Sequence, residues 1–293
     1  MNKPLITVFT PTYNRVDYLS KVYTSLKKQE YKGFEWVIVD DGSSDNTESV
    51  INAFIQLDEM LISYIKQPNG GKHKAINKGV SVAKGELFMI LDSDDTIPEN
   101  SLSIISKHYN DIKSLSHIGG VCGLMAHYDG TIIGEQNVSS PMNLSSIEMR
   151  YKYGFTGDVC EVFKTSILCE FPFPEIDNEK FCPEALVWNR IATKYKLRYF
   201  NEVVYYRDYL DDGLTSKIVR IRMKSPIASM MCYAEMNQLD IPVKDKIKAA
   251  INYWRFRLCY HGSNKFPKLT GLWNVVAPIG WLMHLNDVRV NKS

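Results

Sequence analysis

Residues 88–96, Phe88-Met-Ile-Leu-Asp-Ser-Asp-Asp-Thr96, decide how this chain is expected to fold. An apolar run ends there in three carboxylates, Asp92, Asp94 and Asp95. A short apolar run of this kind is typical of a buried strand, so the acids should lie just past its carboxyl end. Ligands of open α/β sheets bind at that edge. Clustered carboxylates repel one another unless a cation joins them, and hard oxygen ligands suit Mg²⁺ or Mn²⁺ shared with a substrate's phosphates.

Strand and helix patterns alternate around this stretch. The sequence predicts strands at 5–11, 34–40, 61–66 and 86–91, with helical spacing of apolar residues after each of the first three. Such alternation favours a mostly parallel sheet covered by helices on both faces. Later segments are predicted as a strand at 121–126, a hairpin-type turn at 128–131, a polar loop at 135–146, a helix at about 183–195, a strand near a sheet edge at 197–206 and helices over 217–261.

Composition limits the classes of partner. The 293 residues carry a formal net charge of +2, which by itself does not indicate a nucleic-acid partner. The six cysteines form neither a CxxC pair nor a zinc-finger spacing, which favours a reduced, cytoplasmic chain.

The amino terminus runs straight into a strand pattern, without the apolar region of a signal peptide. No apolar stretch reaches the length of a membrane span.

Polar motifs also follow the first two predicted strands, TPTYNR at 10–15 and DDGSSD at 40–45. In a parallel sheet these motifs and the acidic cluster open onto the same edge, so together they can form one pocket. Each motif alone is also explained by the ordinary preference of turns for Asp, Asn, Gly and Ser. Their joint occurrence, in this order, indicates a ligand site.

With two more segments the chain resembles the inverting glycosyltransferases of family two, which have the GT-A nucleotide-sugar-binding fold. The matching segments are TPTYNR at 10–15, VIVDDGSSDNT at 37–47, NGGKHKAINKG at 69–79, LDSDD at 91–95 and, more thinly, PEALVWNRIA at 183–192. The resemblance implies an α/β fold with a Rossmann-like, mostly parallel central sheet flanked by helices. The implied catalytic domain spans 1–215, with nucleotide-sugar binding in 1–115 and acceptor binding in 116–215. Residues 216–293 lie beyond the resemblance, and their own sequence pattern predicts a helical extension that could associate with a membrane.

The resemblance also implies how a UDP-sugar donor would be held. Tyr13 would stack on uracil, Pro11 would shape the same wall, and Asp40 would accept the uracil imide N–H. The other implied donor contacts are Arg15, Asn69, Lys72, Asp92 and Asp94. Asp94 and Asp95 are the implied ligands of a metal cofactor, Mn²⁺ or Mg²⁺, that bridges the two phosphates and completes a DXD-type site.

Other residues of the same motifs are expected to have structural roles or to alter the charge of the site. Asp41 and Asp45 are expected to serve the turn and a helix cap. Many relatives carry an arginine where this chain has Ile76, so the positive charge expected beside the diphosphate rests on fewer residues.

Inversion requires a base on the acceptor side, and Glu184 matches the acidic position of the family. Trp188, four residues later, would contribute to a platform for the acceptor sugar. Asp158 is the rival base or an acceptor contact. For Glu184 and Trp188 the alternative is structural: Glu184 would complement the helix dipole from the first turn, and Trp188 would pack in the core. Relatives often show Glu-Asp where this chain has Glu184-Ala185.

The implied function is metal-dependent, inverting transfer of a hexose from a UDP-sugar to a hydroxyl of a glycan or lipid-linked acceptor, in cell-surface polysaccharide or glycan synthesis. One alternative is a haloacid-dehalogenase-like phosphatase that uses Asp92 and Asp94, with Asp211-Asp212 as its later acidic pair. In that family the nucleophile strand comes first, whereas two marked strand–loop motifs precede Asp92 here. A non-catalytic nucleotide-sugar binder is the other alternative.

The carboxyl-terminal region has two interpretations. Basic residues at 217–224 and 244–257, with Trp273 and Trp281, predict a peripheral association with anionic lipid at the inner face of a membrane. The alternative is a helical lid whose tryptophans pack inward and whose lysines are merely solvated.

Overall fold

A computed structural model describes residues 3–135, 141–208, 217–262 and 266–290. The chain divides into two compact units, the first comprising Met1–Pro172 and Ile191–Asp208 and the second Phe173–Arg190 and Tyr209–Ser293. The predicted boundary between residues 215 and 216 lies outside the described residues and stays a prediction. Phe173–Arg190, which the sequence analysis placed in the first domain, belongs to the second unit.

A mixed sheet forms the centre of the first unit. The strands found in the described residues are β1 Ile6–Thr12, β2 Phe34–Asp40, β3 Ile62–Lys66, β4 Leu87–Ile90, β5 Ile118–Ala126, β6 Met142–Leu144, β7 Val159–Lys164 and β8 Lys196–Tyr206. Their order across the sheet is β3-β2-β1-β4-β7-β5-β8-β6. Every residue of β1 and β2 is buried, as expected for central strands covered on both faces.

Helices cover both faces of this sheet. The helices of the first unit are α1 Val16–Lys27, α2 Thr47–Gln56, α3 Lys72–Val82, α4 Ser101–Asn110 and α5 Thr165–Glu170, with a π-helical turn at Glu148–Lys152. Leu19 of α1, Ile51 of α2 and Leu102 of α4 share one core with the strands. Gly79 of α3 lies against the ring of Phe9, where a β-carbon would meet the ring at 2.3 Å. The α/β architecture predicted from the sequence is therefore confirmed.

Strand direction brings several chain segments to one edge of the sheet. β1, β2, β3 and β4 are parallel, with Thr12 opposite Asp40 and Phe9 opposite Ile90. β7 is antiparallel to both β4 and β5, and β8 is parallel to β5. The carboxyl ends of β1, β2, β4 and β8 and the amino end of β7 therefore lie at the same edge, which we call the acidic edge.

The predicted strands agree with the observed ones to within about two residues through the first four. The hairpin-type turn at 128–131 is confirmed by the His127 N–H donated to the Thr131 carbonyl at 2.8 Å. β7 was not predicted, and β6 lies inside the segment 135–146 that was predicted as a loop. β6 is only three residues long, too short for a periodic signal.

The second unit is helical in its described residues. Its helices are α6 Glu184–Ala192, whose last two residues fall in the first unit, α7 Ile218–Lys224, α8 Pro226–Met236, α9 Val243–Arg257 and α10 Ala277–Val290, with a 3₁₀ helix at Gly271–Val276. Met230, Ala250, Tyr253 and Leu269 belong to its core. In the described part of the chain, no helix combines the length and the apolar character needed to cross a bilayer.

Candidate functional site

The loops that follow β1 and β2 are tied to each other at the acidic edge. Asn14 has a left-handed backbone with φ 51°. Its N–H donates to Ser43 Oγ at 2.9 Å, and its side-chain oxygen accepts the Ser44 N–H at 2.8 Å. Asp45 accepts the Thr47 N–H at the start of α2 at 3.1 Å, which agrees with its predicted role at a helix start. It also accepts the Val16 N–H at the start of α1 at 3.1 Å. These hydrogen bonds form one wall of the site before any ligand arrives.

Asp40, which was predicted to contact uracil, is completely buried. Its two carboxylate oxygens accept the Ser43 N–H and the Tyr64 hydroxyl, each at 2.7 Å. Each oxygen could accept a second hydrogen bond, but the residue is fully buried, so a base could reach it only if a covering group moved. The contact therefore stays a prediction, and the observed task of Asp40 is to shape the turn.

Asp41 organises the glycine loop that precedes α3. Its two oxygens accept the backbone N–H groups of Gly70 and Gly71 at 2.8 and 2.7 Å, and Asn69 Nδ2 donates to the same carboxylate at 3.1 Å. Gly71 has φ 98°, a conformation that side chains other than glycine rarely adopt. Asp41 thus fixes the backbone from which Lys72 begins α3.

The acidic cluster lies directly beyond β4, as predicted. Asp92 accepts Lys72 Nζ at 2.7 and 3.0 Å, so the lysine predicted to bind phosphate lies at the carboxylates. Asp94 is half-buried, and burial together with the charge of Asp92 raises its pKa. Asp95 is buried, and the same two causes, burial first, raise its pKa to about 7. This edge therefore holds negative charge that the protein alone balances incompletely.

Tyr205 connects the acidic cluster to β8, and the sequence analysis missed it. It is a buried residue whose hydroxyl accepts the Asp92 N–H at 3.0 Å and donates to Asp95 Oδ2 at 2.8 Å. Arg207, just beyond β8, donates to Asp158 Oδ2 at 3.0 Å and lowers the pKa of Asp95 against the larger effect of burial. One signal could have found both residues, because they lie at the carboxyl end of a predicted strand.

We expect Tyr205→Phe to weaken binding of UDP in the presence of Mn²⁺ by about tenfold or more, because residues that orient ligating carboxylates typically contribute 10–100-fold to metal affinity. Isothermal titration calorimetry of both variants measures this change. The matched control is Tyr109→Phe, which removes another buried hydroxyl that donates to a carboxylate, Glu86 at 3.1 Å. Equal UDP affinity in the Tyr205 and Tyr109 variants would contradict a positioning role.

The residues predicted from the TPTYNR motif lie along the acidic edge. Tyr13 is 50% exposed, which leaves a ring face available for a base, whereas Pro11, two residues earlier, is buried. The Arg15 guanidinium lies 5.4 Å from the centre of the Tyr18 ring. Its charge lowers the pKa of Asp94, although burial has the larger, opposite effect. Arg15 therefore acts electrostatically on the carboxylate predicted to hold a metal.

The carboxylates fit a divalent ion that a ligand helps to hold. Within the described ranges, no group of three or more His, Cys, Asp or Glu side chains could hold a metal by itself. Mg²⁺ and Mn²⁺ accept one or two carboxylates when phosphate oxygens and water complete their coordination. Burial and, after it, the charge of Asp92 raise the pKa of Asp94, and a nearby cation would offset both effects. The residues present thus fit an ion that is bound together with a diphosphate.

Glu184 and Trp188 belong to the second unit. Glu184 is the first residue of α6, which follows Pro183, and Trp188 packs edge-on against Phe173 with ring centres 5.6 Å apart. That packing matches the alternative of a structural tryptophan, and it leaves the residue half-buried. The roles of both residues toward the acidic edge stay predictions.

The class of fold follows from solved structures. Staphylococcus aureus TarS 1–349 in complex with UDP-GlcNAc is similar with a TM-score of 0.61, over 96% of this chain and 80% of that one, at 20% identity. The mannosyltransferase PcManGT from Pyrobaculum calidifontis, in complex with GDP-Man and Mn²⁺, gives 0.59 over 98% and 76%, at 17% identity. At such identities the likeness shows the fold, which is the GT-A fold of glycosyltransferases.

The chain belongs to glycosyl transferase family 2, whose family model matches residues 7–161. It is 40% identical over 101 residues to the glycosyltransferase GlyG of Streptococcus pneumoniae, a match that covers 34% of each chain. It is 28% identical over 219 residues to the GalNAc(5)-diNAcBac-PP-undecaprenol beta-1,3-glucosyltransferase of Campylobacter jejuni, covering 72% of this chain and 67% of that protein. The match to GlyG thus spans about a third of that relative's length. The phosphatase alternative is wrong, since the family and the two strand–loop motifs before β4 are those of a glycosyltransferase. The Asp211-Asp212 pair that this alternative invoked lies outside the described residues.

Proposed function

We propose that the chain transfers a hexose from a UDP-sugar to an acceptor hydroxyl with inversion, and that it requires Mn²⁺ or Mg²⁺. The acidic edge is the observation that carries this proposal. Asp92, Asp94 and Asp95 follow one another there beside Lys72, with raised pKa values at Asp94 and Asp95. A cationic centre and a diphosphate together satisfy such a site better than either does alone. Membership of glycosyl transferase family 2 supports the reaction class.

We assign the donor contacts to residues of the first unit. The exposed ring of Tyr13 stacks on uracil with Pro11 behind it, and Asn69 and Lys72 approach the diphosphate from the glycine loop. Lys72 Nζ already lies 2.7 Å from Asp92, so a phosphate oxygen entering there competes for the same ammonium group. TarS, a structural neighbour, binds UDP and UDP-GlcNAc, which supports a uridine donor.

We assign the metal to Asp94, with Asp95 as a second ligand. Asp94 is half-buried, whereas Asp95 is buried and accepts the Tyr205 hydroxyl at 2.8 Å. When bound, the ion would neutralise charge on the departing diphosphate and orient the donor. Asp92 remains with Lys72 and contacts the ribose or its neighbour.

On the acceptor side we assign the general base to Glu184, with Trp188 as part of the sugar platform. The base takes the proton of the acceptor hydroxyl as its oxygen attacks the anomeric carbon and the bond to UDP breaks. Asp158 is the second candidate for the base. Its carboxylate already accepts a hydrogen bond from Arg207 at 3.0 Å, which gives it a structural task in holding that arginine.

For the acceptor we propose a glycan or a lipid-linked glycan, in the synthesis of cell-surface polysaccharide or glycan. The Campylobacter jejuni relative carries an undecaprenol-linked acceptor in its name. A lipid-linked acceptor places the reaction at a membrane, so we propose a cytoplasmic protein that works peripherally at the inner face, on anionic lipid.

A thermal-shift panel of nucleotides and UDP-sugars tests the donor assignment. We expect UDP and one UDP-sugar to raise the melting temperature in the presence of Mn²⁺, and much less in its absence, because a ligand that binds only the folded state stabilises it more the further its concentration exceeds its Kd. Stabilisation by GDP and GDP-sugars alone would overturn the uridine assignment. A protein stabilised by a UDP-sugar that transfers its sugar neither to glycans nor to lipid-linked acceptors would favour the non-catalytic alternative.

A further inference from the structure

The face of α10 that packs against the protein is unusually polar and small. Gly280 lies against α9 so closely that a β-carbon would meet Trp254 Cβ at 2.6 Å. Asp287 is buried and accepts both Arg255 Nε and Arg255 Nη2, the latter at 2.6 Å. His284 Nδ1 lies 3.6 Å from Cys259 Sγ. These contacts hold one side of α10 firmly on α9.

The outward face of α10 and of the 3₁₀ helix before it is apolar. Leu272 and Val275 of the 3₁₀ helix are 90% and 78% exposed, and Ile279 and Leu282 of α10 are 49% and 60% exposed. The members of each pair are three residues apart, so each pair forms an exposed apolar stripe on its own helix. Trp281 and Leu285 are exposed beside the stripe of α10. A surface helix of a water-soluble protein normally turns its apolar stripe inward and its polar side outward. This helix instead exposes apolar side chains around most of its circumference, so its outward side fits an apolar environment better than water.

Charge distinguishes between the partners that could cover this face. Among the described residues 266–290, the one carboxylate is Asp287, which is buried in its ion pair with Arg255. The exposed charged residues of that segment are Lys268 and Arg289, both cationic. Apolar side chains flanked by cations, with an exposed tryptophan, are the pattern of helices that lie in the headgroup region of an anionic bilayer. A second copy of this face would instead bring cation against cation.

We propose that the outward face, formed by the exposed side chains of Gly271–Val290, inserts into the surface of an anionic membrane and holds the second unit there. The purpose of this contact, access to a lipid-linked acceptor, rests on the proposed function, but the binding itself does not. The contact shares Trp281 with the one that the sequence predicted and differs from it in the other residues. Arg255 is ion-paired with Asp287, Arg257 lies 4.4 Å from the centre of the Phe266 ring, and Trp273 packs against the core.

The test is flotation of the full chain with vesicles of phosphatidylcholine and phosphatidylglycerol, compared with phosphatidylcholine alone. We expect the wild-type chain to float with the anionic vesicles and the double variant Ile279→Glu/Leu282→Glu to bind at least about tenfold more weakly. The matched control is Ile55→Glu/Leu57→Glu, which adds the same charges at exposed apolar positions of the first unit and should float like wild type. Lys268→Glu/Arg289→Glu should lower binding to the anionic vesicles selectively.

Flotation of the Ile279/Leu282 double variant at the wild-type level would overturn the proposal. A wild-type chain that stays unbound but forms a dimer, which the same double variant dissociates in light scattering, would assign the face to a second copy and also overturn it. UDP binding with Mn²⁺, measured on the same preparations, separates the two proposals. UDP binding without flotation refutes the membrane contact alone, and flotation without UDP binding refutes the proposed function alone.

Discussion

Glu184→Gln is expected to abolish sugar transfer while it leaves the affinity for UDP unchanged. Glutamine keeps the size of the side chain but cannot accept the proton of the acceptor hydroxyl. A positioned general base typically contributes a factor of about 10²–10⁴ to the rate. The measurement is kcat with the UDP-sugar selected by the thermal-shift panel, alongside calorimetric titration of UDP in the presence of Mn²⁺.

The control for this substitution is Glu175→Gln, which makes the same change at an exposed glutamate of the second unit. Normal transfer by Glu184→Gln would show that the base assignment is wrong, and loss of transfer in Asp158→Asn would then move the base to Asp158. If Glu184 only complements the helix dipole, its substitution costs about 0.3–1 kcal/mol of stability and leaves kcat in place.

Asp94→Asn is expected to weaken binding of UDP in the presence of Mn²⁺ by roughly 100-fold, or about 2.8 kcal/mol. The reason is that the amide lacks the charge that attracts the ion, which would add to the contacts that Asn69 and Lys72 make with the diphosphate. In the absence of Mn²⁺, the variant and the wild type should bind UDP equally weakly. Calorimetric titration under both conditions gives the four affinities.

The matched control is Asp111→Asn, an exposed aspartate just beyond α4, which should bind UDP as the wild type does. A loss of affinity in Asp94→Asn that is equally large without Mn²⁺ would mean that Asp94 contacts the nucleotide itself. Asp95→Asn distinguishes the two carboxylates. Burial raises the pKa of Asp95, so its ionised form lowers stability near neutral pH. Asp95→Asn removes that charge, and its amide oxygen can still accept the Tyr205 hydroxyl, so we expect lower affinity without a loss of stability.

The position of the site was predictable because strand ends can be read from local sequence. The apolar runs that became β1, β2 and β4 end where polar motifs begin, and the parallel order places these ends at one edge. Asp92, Asp94 and Asp95 were found in this way, as was the glycine loop before Lys72. Local pattern and one rule of topology were sufficient for that part of the site.

The remaining parts depend on contacts between distant segments. Tyr205 meets Asp92 and Asp95 across more than 100 residues of chain, and the pattern around β8 does not say which strand it will lie beside. Asp40 and Asp41 are adjacent and chemically identical, so the sequence could not distinguish their roles. Asp40 is buried and accepts the Ser43 N–H in the turn, whereas Asp41 accepts the N–H groups of Gly70 and Gly71.

The carboxyl-terminal region illustrates the same limit. Its basic residues and tryptophans were visible in the sequence, but which of them face the protein was not. The ion pair between Arg255 and Asp287 removes a cation from the surface and turns the apolar side of α10 outward. The prediction of a peripheral membrane contact therefore stands as a proposal that keeps Trp281 but otherwise rests on different side chains from those that first suggested it.

The proposed function depends most on an ion held between the acidic edge and a diphosphate. Crystals soaked with Mn²⁺ and UDP test this directly through the anomalous scattering of manganese. We predict a manganese peak at the Asp94 carboxylate that also contacts both phosphates of UDP. UDP bound at this edge without manganese beside Asp94, or an acidic edge that holds neither, would contradict the account.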